Sequence, residues 1–280
     1  MPDPPDSLPA HADWPELVGK VRARTPARLL VGRSGAAYRT ATQIELREAH
    51  AAARDAVRAE LDLSVHLGEE FAKQWDIFEV CTQAATKEEY LLRPHLGRRF
   101  SGVSRLDLLR NCSRNNHLQI AIGDGLSVTA VTAQVPPLLP LLHEGARTRA
   151  WSFGRIPVIR HCRVGILNDI GEILAPEVAV LLIGERPGLA TAEGLSAYMA
   201  YRPQKTDTDA NRNLVSNIHL RGVQPHDAAR RILNLAQQMM SLGTSGCQLS
   251  EEWPLANGSV PAAGTGAECQ AAKRIGSRVL

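Results

Sequence analysis

A carboxylate and a guanidinium, Glu185 and Arg186, follow directly on the apolar run Val178–Gly184 and lead into Pro187-Gly188. Seven residues without polar alternation predict a strand covered on both faces, which requires helices above and below it. The carboxyl ends of such strands are where open α/β sheets bind ligands. Glu185 therefore has two readings. It is a surface partner for a cation, worth about 0–1 kcal/mol when exposed, or it accepts hydrogen bonds from amide or hydroxyl donors on a ligand at that edge.

A second candidate is Gly123-Asp124-Gly125, between the short apolar run Leu118–Ile122 and a helix expected from Ser127. Its glycines invite a dinucleotide-binding reading, yet Val128 stands where that fingerprint needs a third glycine for close packing of helix on strand. This argues against a stand-alone nucleotide-binding oxidoreductase with a Rossmann-like domain. It leaves a structural turn, or a crevice lined by Asp124 and Ser127. His219, in the segment SNIH, has no sequence-adjacent nucleophile or orienting acid, so a satisfied or solvent-edge histidine explains it better than a catalytic base. Asp207, Asp209 and Arg212 could form a metal or phosphate site, although a solvated turn between strands needs fewer assumptions. The chain contains no Walker loop, HExxH or GxSxG elbow.

The elements around these residues follow from periodicity and caps. Trp14, Leu17, Val18 and Val21 recur at helical spacing after Asp13, with Pro15 in the first turn. A second helix is expected to open on Thr42 to Glu45 as a capping box, with Leu46, Ala49, Ala53, Val57 and Leu61 on one stripe. From about Phe100 strands and helices alternate: helix 104–112, strands near 118–122 and 156–159, helix 166–174 and the strand at Val178. Two runs, 195–201 and 214–219, suit strands at the sheet edge, and a last helix runs from Pro225 to near Gly243. The fold class expected is α/β: a Rossmann-like, mainly parallel sheet domain over 100–249, preceded by a mainly helical N-terminal domain over 13–99. Residues 1–12 are expected to be flexible, and the Gly, Ala, Ser and Pro-rich tail over 250–280 to be disordered.

Composition narrows the class. The 280 residues suffice for a sizeable core, and 44% apolar content is ordinary for a globular protein. The net charge of +3 is dispersed along the chain and not gathered in blocks, which argues against nucleic acid as a partner. No apolar run reaches the roughly 20 residues that span a bilayer, and the Pro and Asp-rich start lacks the features of a signal peptide. Five scattered cysteines without a CxxC pair imply neither zinc nor a disulfide framework. A protein of the reducing cytoplasm is the reading.

Five blocks occur together and in order: IGDGLS (Ile122–Ser127), RVGILNDIGEIL (Arg163–Leu174), LLIGERPGL (Leu181–Leu189), LSAYMAYRP (Leu195–Pro203) and NRNLVSNIH (Asn211–His219). In this the chain resembles the small subunit of ethanolamine ammonia-lyase over roughly residues 14–249. The resemblance implies a hetero-oligomer with the large subunit and chemistry on adenosylcobalamin, in which cobalt–carbon homolysis starts the conversion of ethanolamine to acetaldehyde and ammonia. It puts the catalytic residues on the large subunit and leaves this chain part of the cobalamin site. Carried over by motif, cobalamin contacts fall at Val164 in RVGILN, Glu185 in GERPGL and Leu214 in NRNLVSN. Some relatives carry Cys where Leu214 stands, so a backbone contact survives there and a thiol-specific one does not. The chain has no DxHxxG loop, so bound cobalamin is expected to keep its dimethylbenzimidazole on cobalt. The resembling systems are commonly enclosed in a bacterial microcompartment, though the short Pro-rich start offers no clear amphipathic targeting helix. A scaffold without a small ligand is the remaining alternative.

Overall fold

The computed structural model describes residues 14–24, 33–188 and 191–251. In chain order come helix α1 (Trp14–Arg24), the hairpin strands β1 (Arg33–Ser34) and β2 (Ala37–Tyr38), and helices α2 (Thr40–Arg58), α3 (Leu63–His66) and α4 (Glu69–Gln74). Then follow β3 (Ile77–Cys81), α5 (Lys87–Leu92), α6 (Gly102–Asn111), β4 (Leu118–Gly123) and α7 (Val128–Thr148). The remainder is β5 (Ile156–Arg160), α8 (Ile166–Leu174), β6 (Val178–Gly184), β7 (Leu195–Tyr201), β8 (Asn213–Ile218) and α9 (Pro225–Leu242). The described residues up to Leu249 belong to one compact unit. The expected flexible start over 1–12 and the tail beyond Glu251 lie outside the described residues.

The architecture is α/β around a mixed six-stranded sheet in the order β3-β5-β4-β6-β7-β8. The first four strands run parallel, and β7 and β8 extend the sheet antiparallel. One strand, β3, comes from before residue 100, where the other elements among the described residues are helices and the β1–β2 hairpin. Its sequence IFEVC is only partly buried, a weaker signal than the apolar runs of β4 and β6.

Side-chain alternation explains the layers. Along β6, Val178, Val180 and Leu182 join a core cluster with residues of α7 and α9, whereas Ala179, Leu181 and Ile183 join a second cluster with residues of α6 and α8. Every residue of β4 and β6 is buried, as expected of strands covered on both faces. α7 holds together despite Pro136, Pro137 and Pro140. Each proline lacks an N–H and costs about 3 kcal/mol in a helix interior, offset by complete burial of Val131, Val135, Leu138, Leu139 and Leu142 at about 1.5–3 kcal/mol each.

Helix ends mostly follow the expected chemistry. Ser127 caps α7, its hydroxyl accepting the Ala130 N–H at 3.2 Å. Pro225 opens α9, and Gly243 closes it at φ +66°. α2 departs from expectation: it begins at Thr40 after Arg39, with no side-chain cap, so Thr42 lies inside the first turn. The stripe is nonetheless inward, with Leu46, Ala49, Ala53 and Val57 half-buried and Leu61 buried. The expected cap of α1 at Asp13 lies outside the described residues.

Candidate functional site at the carboxyl edge of the sheet

The loop after β4 leads to α7 on one face of the sheet, and the loop after the adjacent β5 leads to α8 on the other. Neighbouring strands whose connections diverge in this way leave a crevice between their carboxyl ends. A cleft of about 290 Å³ opens there, with Gly125, Val164, Glu185 and Tyr198 in its walls.

Behind the lining residues Tyr90, Gly125 and Cys162 lies a buried polar cluster. Asp124 is fully buried, and its carboxylate accepts the N–H groups of Cys162 at 2.7 Å and His161 at 2.9 Å. Lys87, also buried, lies 3.5 Å from that carboxylate and donates to the Gly125 carbonyl at 3.2 Å. Its ammonium also sits 4.9 Å from the centre of the Tyr90 ring, and the Arg163 guanidinium sits 4.1 Å from the same ring. The Tyr90 hydroxyl donates to the Cys162 carbonyl at 3.0 Å, and burial pushes its pKa far above the usual range. Burial likewise drives the Cys162 thiol upward, so it is no ready thiolate.

Asp124 and Ser127 therefore do not line the crevice as one sequence reading allowed. Asp124 faces inward and ties the end of β4 to the start of the loop carrying Val164, while Ser127 caps α7 and donates to the Ala192 carbonyl. Gly125 is required as glycine for two reasons: its φ is +55°, and a Cβ there would stand 2.2 Å from the Gly184 carbonyl oxygen.

Glu185 is half-exposed in the cleft wall. Its N–H donates to the Gly194 carbonyl at 3.0 Å, and its Oε1 accepts the Ser196 hydroxyl. Oε2 takes no hydrogen bond among the described residues and remains available to a donor. Val164 shares the cleft. Leu214 stands outside it on β8, 41% exposed, paired across strands with Tyr198. Tyr198 is the residue common to all three, and sequence reasoning missed it. The only signal was a tyrosine inside the mainly apolar strand LSAYMAY, which carries a second tyrosine at Tyr201. Burial raises the Tyr198 hydroxyl pKa, and the nearby carboxylates of Glu185 and Asp209 add to the effect.

The other candidates resolve as structure. His219 is 4% exposed, with Nδ1 accepting the Arg221 N–H at 3.2 Å and Nε2 2.8 Å from Asn217 Oδ1. Burial, then the Arg221 charge, lowers its pKa, so the ring stays neutral and satisfied. Asp207 accepts the Gln204 N–H at 2.8 Å, and Asp209 pairs with Arg212. The turn is less solvated than expected. The Arg212 side chain is only 6% exposed, while that of Asp209 is 90% exposed. Among the described residues no group of three or more His, Cys, Asp or Glu could hold a metal, and the described cysteines 81, 112, 162 and 247 are free.

Together these features define an α/β protein with a cleft at the point where its strand connections diverge, walled by apolar groups, Tyr90 and Tyr198, Arg163 and Arg186, and the carboxylate of Glu185. Residues 15–250 match the family of the ethanolamine ammonia-lyase light chain (EutC), to which the chain belongs. Two similar proteins are the ethanolamine ammonia-lyase small subunits of Clostridium perfringens and Clostridioides difficile. Each is 40% identical, and each alignment covers 82% of this chain and 76% of the relative. The counterpart in Lachnoclostridium phytofermentans is 38% identical, with 85% of this chain and 79% of the relative covered.

Proposed function

We propose that this chain is the small subunit of an adenosylcobalamin-dependent ethanolamine ammonia-lyase, holding one edge of the cofactor while a large subunit carries the catalytic residues. The observation that carries this reading is the size and lining of the cleft. Drug-sized ligands fill pockets of ~300–1,000 Å³, and a corrin with its amide arms is larger still, so a cleft of about 290 Å³ grips one margin of it. The rest needs a second chain.

The chemistry of the lining suits such a ligand. Val164 and Leu214 offer apolar surface to the macrocycle, and Glu185 offers a carboxylate oxygen to an amide N–H on its rim. Leu214 acts from the flank, beside Tyr198. The cofactor supplies the radical chemistry that converts ethanolamine to acetaldehyde and ammonia. This chain binds, orients and covers. In the same proposal residues 100–249 are the Rossmann-like, cobalamin-contacting part and 13–99 the mainly helical part. The complex belongs to the cytoplasm or a bacterial microcompartment, in keeping with the lack, among the described residues, of a helix long and apolar enough to cross a membrane. The oxidoreductase alternative is disfavoured by Val128, which fills the third-glycine position with a buried side chain at the head of α7.

Reconstitution tests the proposal. Deamination of ethanolamine with added adenosylcobalamin is expected only when this chain and the large subunit are both present, and undiminished activity of the large subunit alone rejects it. At the residue level, Glu185→Ala is expected to weaken cobalamin binding to the assembled complex by about 1–3 kcal/mol, roughly 5- to 150-fold in Kd. Unchanged affinity removes Glu185 from the site.

A further inference from the structure

Helix α2 is thinly packed for its length. Of its 19 residues only Ala56 is buried, whereas α9, with 18, buries seven. Helices in proteins are held chiefly by a packed face, so a helix this bare presents a surface for something else to cover. The bare side is patterned: Ile44, Arg47, Ala51, Arg54 and Arg58 recur every three or four residues and are all exposed, Ile44 to 59%. On the same flank Leu46, Arg47, His50, Ala51 and Arg54 line a shallow groove of about 450 Å³. The side chains of Arg47, Arg54 and Arg58 make no hydrogen bond or ion pair among the described residues, although Glu48 and Asp55 stand on the same helix. The end of α2 is fixed in place. Just beyond it, Glu60 pairs at 2.7 Å with Arg160, the last residue of β5, which tethers the helix at the carboxyl edge of the sheet, the edge that carries the Glu185 cleft.

We infer that this basic flank of α2 is a docking surface for an acidic, amphipathic face of the large subunit. The inference rests on the function proposed above and adds to it a place where the two chains meet. The flank leads to the carboxyl edge of the sheet, so a chain that covers the Glu185 cleft can extend onto it. Ile44 and Leu46 stand among the cations, which suits a protein face with an apolar centre and a charged rim better than a free anion. Glu48 and Asp55 share the helix, and an anionic bilayer would repel both. A second copy meeting the flank about a two-fold axis would set its arginines against the same arginines. Unpaired guanidinium groups on such a surface speed encounter with an acidic partner and suppress wrong ones.

The test measures the kinetics of association of the full chain with the large subunit at about 0.05 M and about 0.5 M salt. Arg47→Gln combined with Arg54→Gln removes two exposed charges and installs good helix formers, so α2 persists. The association rate constant is expected to fall about 10-fold at the lower salt and to differ little from wild type at the higher. Arg47→Lys with Arg54→Lys keeps the charge and is expected to restore most of the rate. Arg110→Gln with Arg114→Gln removes the same charge from exposed positions at the end of α6 and just after it, and is expected to leave the rate unchanged. An unchanged rate for the Arg47 and Arg54 pair overturns the inference, and so does a loss that salt does not reduce. An equal loss for the Arg110 and Arg114 pair also overturns it, by assigning the effect to net charge alone. Should the Arg47 and Arg54 variant instead lose only self-association, or only binding to phosphatidylglycerol vesicles, the flank belongs to a second copy or to a membrane and the inference falls. A wild-type chain that does not associate with the large subunit at either salt concentration fails earlier, at the proposed function itself.

Discussion

Replacing Asp124 by alanine is expected to cost about 3–5 kcal/mol of folding stability, the range for breaking a buried ion pair. The reason is what the change strands. Lys87 would keep its ammonium in a site where its side chain is 7% exposed, and the N–H groups of His161 and Cys162 would lose their acceptor. Lys87→Met is expected to cost less, because the carboxylate would keep two charge-assisted hydrogen bonds from the backbone. Urea unfolding of the two variants checks the order, and a loss below about 1 kcal/mol for Asp124→Ala would refute the anchoring role. The effect reaches the ligand cleft, because those two N–H groups begin the loop that presents Arg163 and Val164.

Gly125→Ala should be nearly as damaging. A Cβ at φ +55° and 2.2 Å from the Gly184 carbonyl meets backbone, which cannot rotate away as a side chain would. Left-handed strain contributes about 1–3 kcal/mol, and forcing β4 and β6 apart at their carboxyl ends adds to it. A total near or above 3 kcal/mol is expected, together with weaker cobalamin binding as the cleft widens. Gly243 supplies the control: its φ is +66°, yet nothing lies within 4 Å of a built Cβ, so alanine there should cost only about 1 kcal/mol and leave binding alone. Equal losses at the two glycines would show that backbone conformation, and not the approach of β6, sets the requirement.

The parts of this structure legible from sequence are those where one force acts alone. β6 was readable because burial on both faces demands an unbroken apolar run, and β7 because its run is bounded by turn residues. α9 was readable because proline and glycine mark its ends. β3 escaped because a partly exposed edge strand of five residues need not be apolar throughout, and it lies among helices. The start of α2 was misread because Thr42 and Glu45 have capping-box spacing, while the backbone turns helical two residues earlier without any side-chain cap. Glu185 could be located from its position after a strand, whereas the inward turn of Asp124 depends on β5 and α5, which local sequence does not bring together.

The outermost strand β8 has a further consequence. Its entry is covered by the turn at Gly246–Gln248, where Asn213 exchanges hydrogen bonds with Gly246 and reaches the Leu249 carbonyl. Its exit is folded over by Val223, bridged to Ile218, after Asn217 has turned to φ +60°. Too little bare backbone is left between them to template a foreign strand. Oligomerisation by sheet continuation is thereby discouraged on this side, and a companion polypeptide would have to recognise side-chain relief instead.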